Sequence, residues 1–239
     1  MFNDYIIPLP PLFIVIIFYV GYFTSVFKTV EFVMNKIGPY KSLSTYKKRY
    51  VIKNLLKSNT LFLMTPGTLL ILKDIFMYNK WNNASLHILG TIYSLTDFIS
   101  LLLVPGLPMT TKLHHGFVTI FGIINIINDY TQPNIVRMLI IYGALSTISF
   151  SVNGYLGLRY ITQNDKLLNT TALLSFCVYV ICFTINWLYH YYYIITIESM
   201  TFATILYFIA AHIIMYDDIK LMGHLIKRVR HKNETSKCD

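Results

Sequence analysis

Charge is what this sequence has little of. Only 13% of its 239 residues are charged, and Asp and Glu number 11 against 20 Lys and Arg. Soluble domains run near a quarter charged. With 55% hydrophobic residues and a mean hydropathy of +0.53, an ordinary soluble fold is excluded, because a chain of this length cannot bury so much apolar surface. Cysteine is scarce too. Cys177 and Cys182 share one apolar run and Cys238 is next to the end, so there is neither a disulfide framework nor a prenylation box. Sustained period-two alternation is missing, which excludes a membrane β-barrel. No GxSxG elbow, glycine-rich phosphate loop, or HxxxH or HxxHH box occurs. These absences remove the serine-hydrolase, P-loop and membrane di-iron classes. No metal or organic cofactor is expected.

What is present is a series of long apolar runs. Seven predicted spans cover roughly 9–27, 55–78, 84–104, 113–130, 134–160, 168–194 and 199–221. The expected fold class is all-α, a polytopic transmembrane helical bundle. Pro66-Gly67 is expected to kink the second span. Gly143, Ser146, Ser149, Asn153, Gly154 and Gly157 give the fifth a small-residue side suited to close packing. Trp187 and Tyr189 to Tyr193 read as an interfacial aromatic belt. Three divisions follow: an anchor and basic connector over 1–44, a membrane domain over 45–225, and a basic tail over 226–239 expected to be disordered. No basic residue precedes the first run, so it reads as an uncleaved anchor.

The net charge of +9 is concentrated between the runs and at the C-terminal end, so it points to topology and not to nucleic acid. From Lys28 to Lys57 the connector holds Lys28, Lys36, Lys41, Lys47, Lys48, Arg49, Lys53 and Lys57 against Glu31 alone. That connector is expected in the cytosol, with Lys112, Arg159–Lys166 and the C-terminal end. The N-terminus, Asp74–Lys80, Asp129 and Glu198 fall on the luminal side. Of three sequons only Asn83-Ala84-Ser85 is luminal and open to glycosylation by this reading.

Ionisable groups inside the runs are costly and mark candidate functional sites. Asp97 lies in the third span, and His114-His115 opens the fourth. Successive helical residues diverge by about 100°, so each His heads its own polar face. His115, Thr119 and Gly122 share one, and His114 and Asn125 the next. The short link Pro105-Gly106-Leu107-Pro108 makes the third and fourth spans antiparallel neighbours. Asp97, His114, His115 and His212 are then expected to cluster towards the cytosol. Catalytic roles fall to His114, His115 and Asp97, and lipid-binding roles to Thr119, Asn125 and His212. His190 belongs near the luminal end, outside the cluster.

Three readings of the cluster stay open. A His acts as general base with Asp97 orienting it; the cluster binds a metal suited to His ligands; or the polar groups hold helices together.

Asp97, then Lys112-Leu113-His114-His115 on a polar helix, resembles the TLC domain family (TRAM, Lag1 and CLN8 homology) over about residues 45–225. The basic connector, Ala144-Leu145-Ser146-Thr147 and the stretch from His212 to Lys220 add to the likeness. The resemblance implies a six-helix core plus one N-terminal helix in an internal membrane such as the endoplasmic reticulum. Ceramide synthases of this family transfer an acyl group from acyl-CoA through a His pair, which maps onto His114 and His115. Their second acidic motif is absent here, where the chain reads Ile141-Tyr142-Gly143-Ala144-Leu145. The chain is closer to the TLC-domain-only members, linked to lipid homeostasis, sensing or transport. The leading expectation is a protein that binds or handles a membrane lipid. The others are an acyltransferase using long-chain acyl-CoA, and a translocon-associated protein without lipid chemistry.

Overall fold

A computed structural model describes residues 9–104, 106–196 and 201–235. Asp4, Pro105, Glu198 and Cys238 lie outside the described residues. Within them the chain is helical, in nine elements: α1 (Leu9–Met34), α2 (Gly38–Lys41), α3 (Thr45–Tyr78), α4 (Asn83–Leu103), α5 (Met109–Ile127), α6 (Val136–Ile148), α7 (Phe150–Leu158), α8 (Asp165–Thr196) and α9 (Phe202–Thr235). α1, α3, α4, α8 and α9 are long and apolar enough to cross a bilayer. The pair α6–α7, bent by 48° at Ser149, makes a sixth if it is one span. α5 does not meet that test. Its 19 residues include Thr110, Thr111, Lys112, His114, His115 and Asn125, which dilute its apolar content. A multi-pass membrane protein follows from these helices. Large side chains such as Phe18, Leu63, Leu188 and Ile209 point outward, as expected where the solvent is lipid.

α3 begins at Thr45, about ten residues before the predicted span. Ser44 caps it, its hydroxyl accepting from the Lys47 backbone N–H at 3.5 Å. This early start carries Lys53 and Lys57 inside the bundle, where they are buried, and not into the connector. α3 passes through Pro66-Gly67 as one helix, whereas the fifth predicted span is divided at Ser149. α9 stays helical to Thr235, well past the predicted end of the last span.

α3 lies along α7 and α4 along α5, with α9 bridging α5 and α8. Gly157 makes the α3–α7 approach close: a Cβ there would meet the Leu55 side chain at 2.8 Å and the Val51 carbonyl at 3.3 Å. The α4–α5 link turns at Gly106, whose φ of +77° lies in the left-handed region.

Opposite the basic end, the loop between α5 and α6 is tied to α4. Asn83 donates to the Asp129 carboxylate at 2.8 Å and accepts from the Tyr130 backbone N–H at 2.7 Å. Arg137 donates to the Tyr130 and Thr131 carbonyls and stacks on Trp81. The sequon at Asn83 is therefore a poor glycosylation acceptor, because its amide is buried and already bonded. Trp187, read as part of an interfacial belt, is instead buried against Phe183 and His190, while Tyr191 and Tyr192 are exposed.

Candidate functional site

The α4–α5 hairpin sets Asp97 beside the start of α5, as the short link requires. Asp97 is fully buried, and so are Thr96 and Ser100 around it. Its Oδ1 pairs with the Lys57 ammonium from α3 and lies 2.9 Å from His115 Nδ1. The His115 contact falls outside linear hydrogen-bond geometry, and neither imidazole nitrogen of His115 has a hydrogen-bond partner in the protein. The Lys57 ammonium also sits 5.4 Å over the Tyr93 ring.

His114 points to a different pair of carboxylates. Its Nδ1 lies 3.4 Å from Asp217 and 3.9 Å from Asp218, both on α9. The Tyr142 hydroxyl from α6 reaches His114 Nε2 at 3.4 Å and donates to Asp218 at 3.5 Å. Thr111 donates to Asp217 at 3.4 Å. Adjacent histidines thus engage carboxylates of two different helices, the physical consequence of their 100° divergence. Their rings remain edge to face at 5.4 Å.

Both histidines open on one cavity of about 480 Å³. α3 contributes Lys53, Lys57 and Leu61 to its wall, α7 contributes Val152 and Asn153, and α9 contributes Asp217, Asp218 and Leu221. Ser146 and Ser149 line it as well. The small-residue side of the fifth span therefore divides: Gly154 and Gly157 pack on Ser58 and Leu55 of α3, while its Ser and Asn residues face the cavity. A volume of this size suits a small ligand or part of a larger one.

The other three expected site residues are elsewhere. His212 is exposed on α9, its Nδ1 2.8 Å from the Phe208 carbonyl. Thr119 turns its hydroxyl back to the His115 carbonyl at 2.8 Å. Asn125 is buried in a polar knot, donating to the His87 carbonyl and accepting from the Tyr130 hydroxyl. His190 stacks on Tyr207 and bonds its hydroxyl at 2.7 Å, outside the cluster as expected.

Sequence reasoning missed Asp217, Asp218 and the inward role of Lys57. A signal existed for the first two. Tyr207, Ala211, Ile214, Asp218 and Leu225 repeat at helical spacing and are buried, so Asp218 stands on the inner stripe of α9. His212 precedes Asp218 by six residues, or about 240° around the helix, which turns it outward.

Asp97, His114 and His115 each offer a ligand atom within 4.8 Å of one another, a set able to hold a metal ion. Lys57 already places a cation on the Asp97 oxygen, so a second cation there meets repulsion. The donor set fits a hydrogen-bonding or proton-transfer role better.

No family model, curated protein or solved structure matches the chain.

Proposed function

We propose that this is a multi-pass protein of TLC type that takes a lipid into the cavity between α3, α5, α7 and α9 and holds its polar part with the histidine cluster. The observation that carries this reading is the pairing of two adjacent histidines with carboxylates on separate helices, at the wall of one cavity. Buried polar groups in a membrane protein normally find partners. Here Asp97 Oδ2 and His115 Nε2 lack hydrogen-bond partners in the protein, so a polar ligand has a donor or acceptor to meet. Leu61, Val152, Leu156 and Leu221 supply apolar wall for its chain.

The basic loops support a cytosolic position for this end of the bundle, with the N-terminus luminal. α5 is then the seventh crossing, shielded from lipid on its histidine face. An internal membrane such as the endoplasmic reticulum is the proposed location.

Native mass spectrometry of the gently purified protein tests the reading. A defined lipid retained by wild type and lost in the His114→Ala/His115→Ala protein is the expected result. Identical bulk lipids on both proteins overturn it.

A second reading, acyl transfer from long-chain acyl-CoA, is favoured by the Asp97–His115 geometry. Asp97 faces Nδ1, which leaves Nε2 of His115 as the base. His115 takes the proton of a lipid hydroxyl or amine as that group attacks the thioester carbonyl. The C–S bond breaks, and the proton passes to the departing thiolate. His115→Ala in a protein that still folds removes transfer to a hydroxyl or amine acceptor; full turnover in that variant excludes the role.

A further inference from the structure

Lys57 has a salt-bridge partner inside the cavity, Asp97, but its neighbour one turn away on α3 has none. Lys53 is 5% exposed, faces the same cavity, and rests its ammonium 5.9 Å over the Tyr50 ring. The cavity carboxylates are engaged with other groups: Asp97 with Lys57 and His115, Asp217 with His114 and Thr111, Asp218 with His114 and Tyr142. Asp97 and Asp217 act on Lys53 only from beyond salt-bridge distance; a buried ammonium without a close anion is costly, and an anion in the cavity offsets that cost.

A second cation stands at the same end of the bundle. Arg159 follows the last residue of α7, and its guanidinium contacts Tyr160 at 3.2 Å, Tyr50 at 3.5 Å and the His224 ring nitrogen. Its Nε is buried and has no hydrogen-bond partner in the protein. The His224 ring nitrogen accepts from the Arg159 guanidinium, so this imidazole orients the guanidinium and is not itself a cation. Lys220, one turn before His224 on α9, completes the rim. Three helices thus bring basic groups to one rim, and tyrosine rings hold Lys53 and Arg159 in place. Guanidinium and ammonium donors around a wet opening match the oxygens of a phosphate ester.

We propose that Lys53, Arg159 and Lys220 form a phosphate-binding subsite at the mouth of the cavity, with His224 orienting Arg159, so that the amphiphile it receives carries a phosphate-bearing headgroup. This rests on the lipid-binding reading above and narrows it. The phosphate belongs either to a membrane phospholipid or to a nucleotide thioester, since both present the same oxygens to the rim. Lys47, Lys48 and Arg49 are the obvious basic run in the sequence, but none of them lines the cavity.

The test is equilibrium binding to the full chain in maltoside micelles, with three probes: dipalmitoyl phosphatidic acid, palmitoyl-CoA and uncharged monopalmitoylglycerol. Lys53→Gln and Arg159→Gln are compared with Lys41→Gln, an exposed cation on α2. Each of the first two is expected to weaken at least one phosphate probe by about tenfold or more, while monopalmitoylglycerol binding and the Lys41→Gln protein stay unchanged. The probe that loses affinity identifies the source of the phosphate. Undiminished phosphate binding in both variants overturns the subsite, and so does an equal loss for the uncharged probe. If monopalmitoylglycerol binds in a His115-dependent way while the cation variants change nothing, the lipid reading stands and the subsite falls. If no probe binds wild type, both fall. Where a variant does not fold, wild type itself decides. Raising salt from about 0.05 to about 0.5 M screens charge, and is expected to weaken the phosphate probes alone; equal salt response for all three contradicts the proposal.

Discussion

Removing Lys57 leaves the Asp97 carboxylate buried without its closest cation. Breaking one side of a buried pair costs about 3–5 kcal/mol, whereas replacing both by apolar groups is close to neutral. Lys57→Met is therefore expected to unfold in detergent far more readily than wild type, and Lys57→Met/Asp97→Leu to recover most of the loss. Denaturant unfolding checks this; equal stability of the single and double variants contradicts the pair. Asp129, in the loop opposite, gives a pH prediction. The Asn83 amide, followed by the hydroxyl and backbone N–H of Thr131, holds its carboxyl below the usual carboxylate range. A lowered folded-state value means that the ionised form stabilises the loop at neutral pH. That contribution is lost as pH falls from the ordinary carboxylate range through the lowered value. The melting temperature of wild type should drop over that acid window, and that of Asp129→Asn should drop less. Asp97, His114 and His115 were legible as a group because they are rare residue types in apolar runs. Asp217 and Asp218 were not, because they stand near the end of the last apolar run, and only the register of Asp218 on the buried stripe of α9 marks that pair as inward.

At the scale of the helix, five of the apolar runs fall on helices long and apolar enough to cross a bilayer and a sixth on the bent α6–α7 pair, but composition alone misjudged their ends. Lys47, Lys48, Arg49, Lys53 and Lys57 made the start of α3 look like a solvated connector. Hydropathy averages over all faces, whereas the helix turns Lys53 and Lys57 inward. Pro66, where a kink is expected, sits inside one continuous helix, and the chain also bends by 48° at Ser149. Gly154 and Gly157 were read as packing residues and do pack on α3, and Gly157 set beside Gly67 of the Pro66-Gly67 pair separates packing from propensity. Gly157→Leu drives a side chain into Leu55 and the α3 backbone, and should cost about 1–3 kcal/mol. Gly67 has open space where its Cβ would stand. Gly67→Ala should leave stability unchanged or raise it by up to about 1 kcal/mol, through helix propensity. Thermal unfolding of the two variants side by side distinguishes a tight α3–α7 contact from a loose one.

For the whole molecule, the two ends of the bundle differ in kind. One end is closed by the hydrogen bonds of Asn83, Asp129, Tyr130 and Arg137. The other is basic and opens on the cavity. If α5 crosses the bilayer together with the other rods, the count is odd and the termini lie on opposite sides. In a Cys177→Ala/Cys182→Ala background, Cys238 should react with an impermeant maleimide from the cytosolic face, and a cysteine placed near Asp4 only from the luminal face. Labelling of both from one face contradicts an odd count. The central claim is that an amphiphile enters between α3, α5, α7 and α9. Photo-crosslinking with a diazirine-bearing lipid, followed by mapping of adducts on the full chain, tests it most directly. Adducts on Leu61, Val152, Leu156 or Leu221, diminished in the His114→Ala/His115→Ala protein, are the predicted result. Adducts confined to outward-facing residues such as Phe18, Leu63, Leu188 and Ile209 would contradict it.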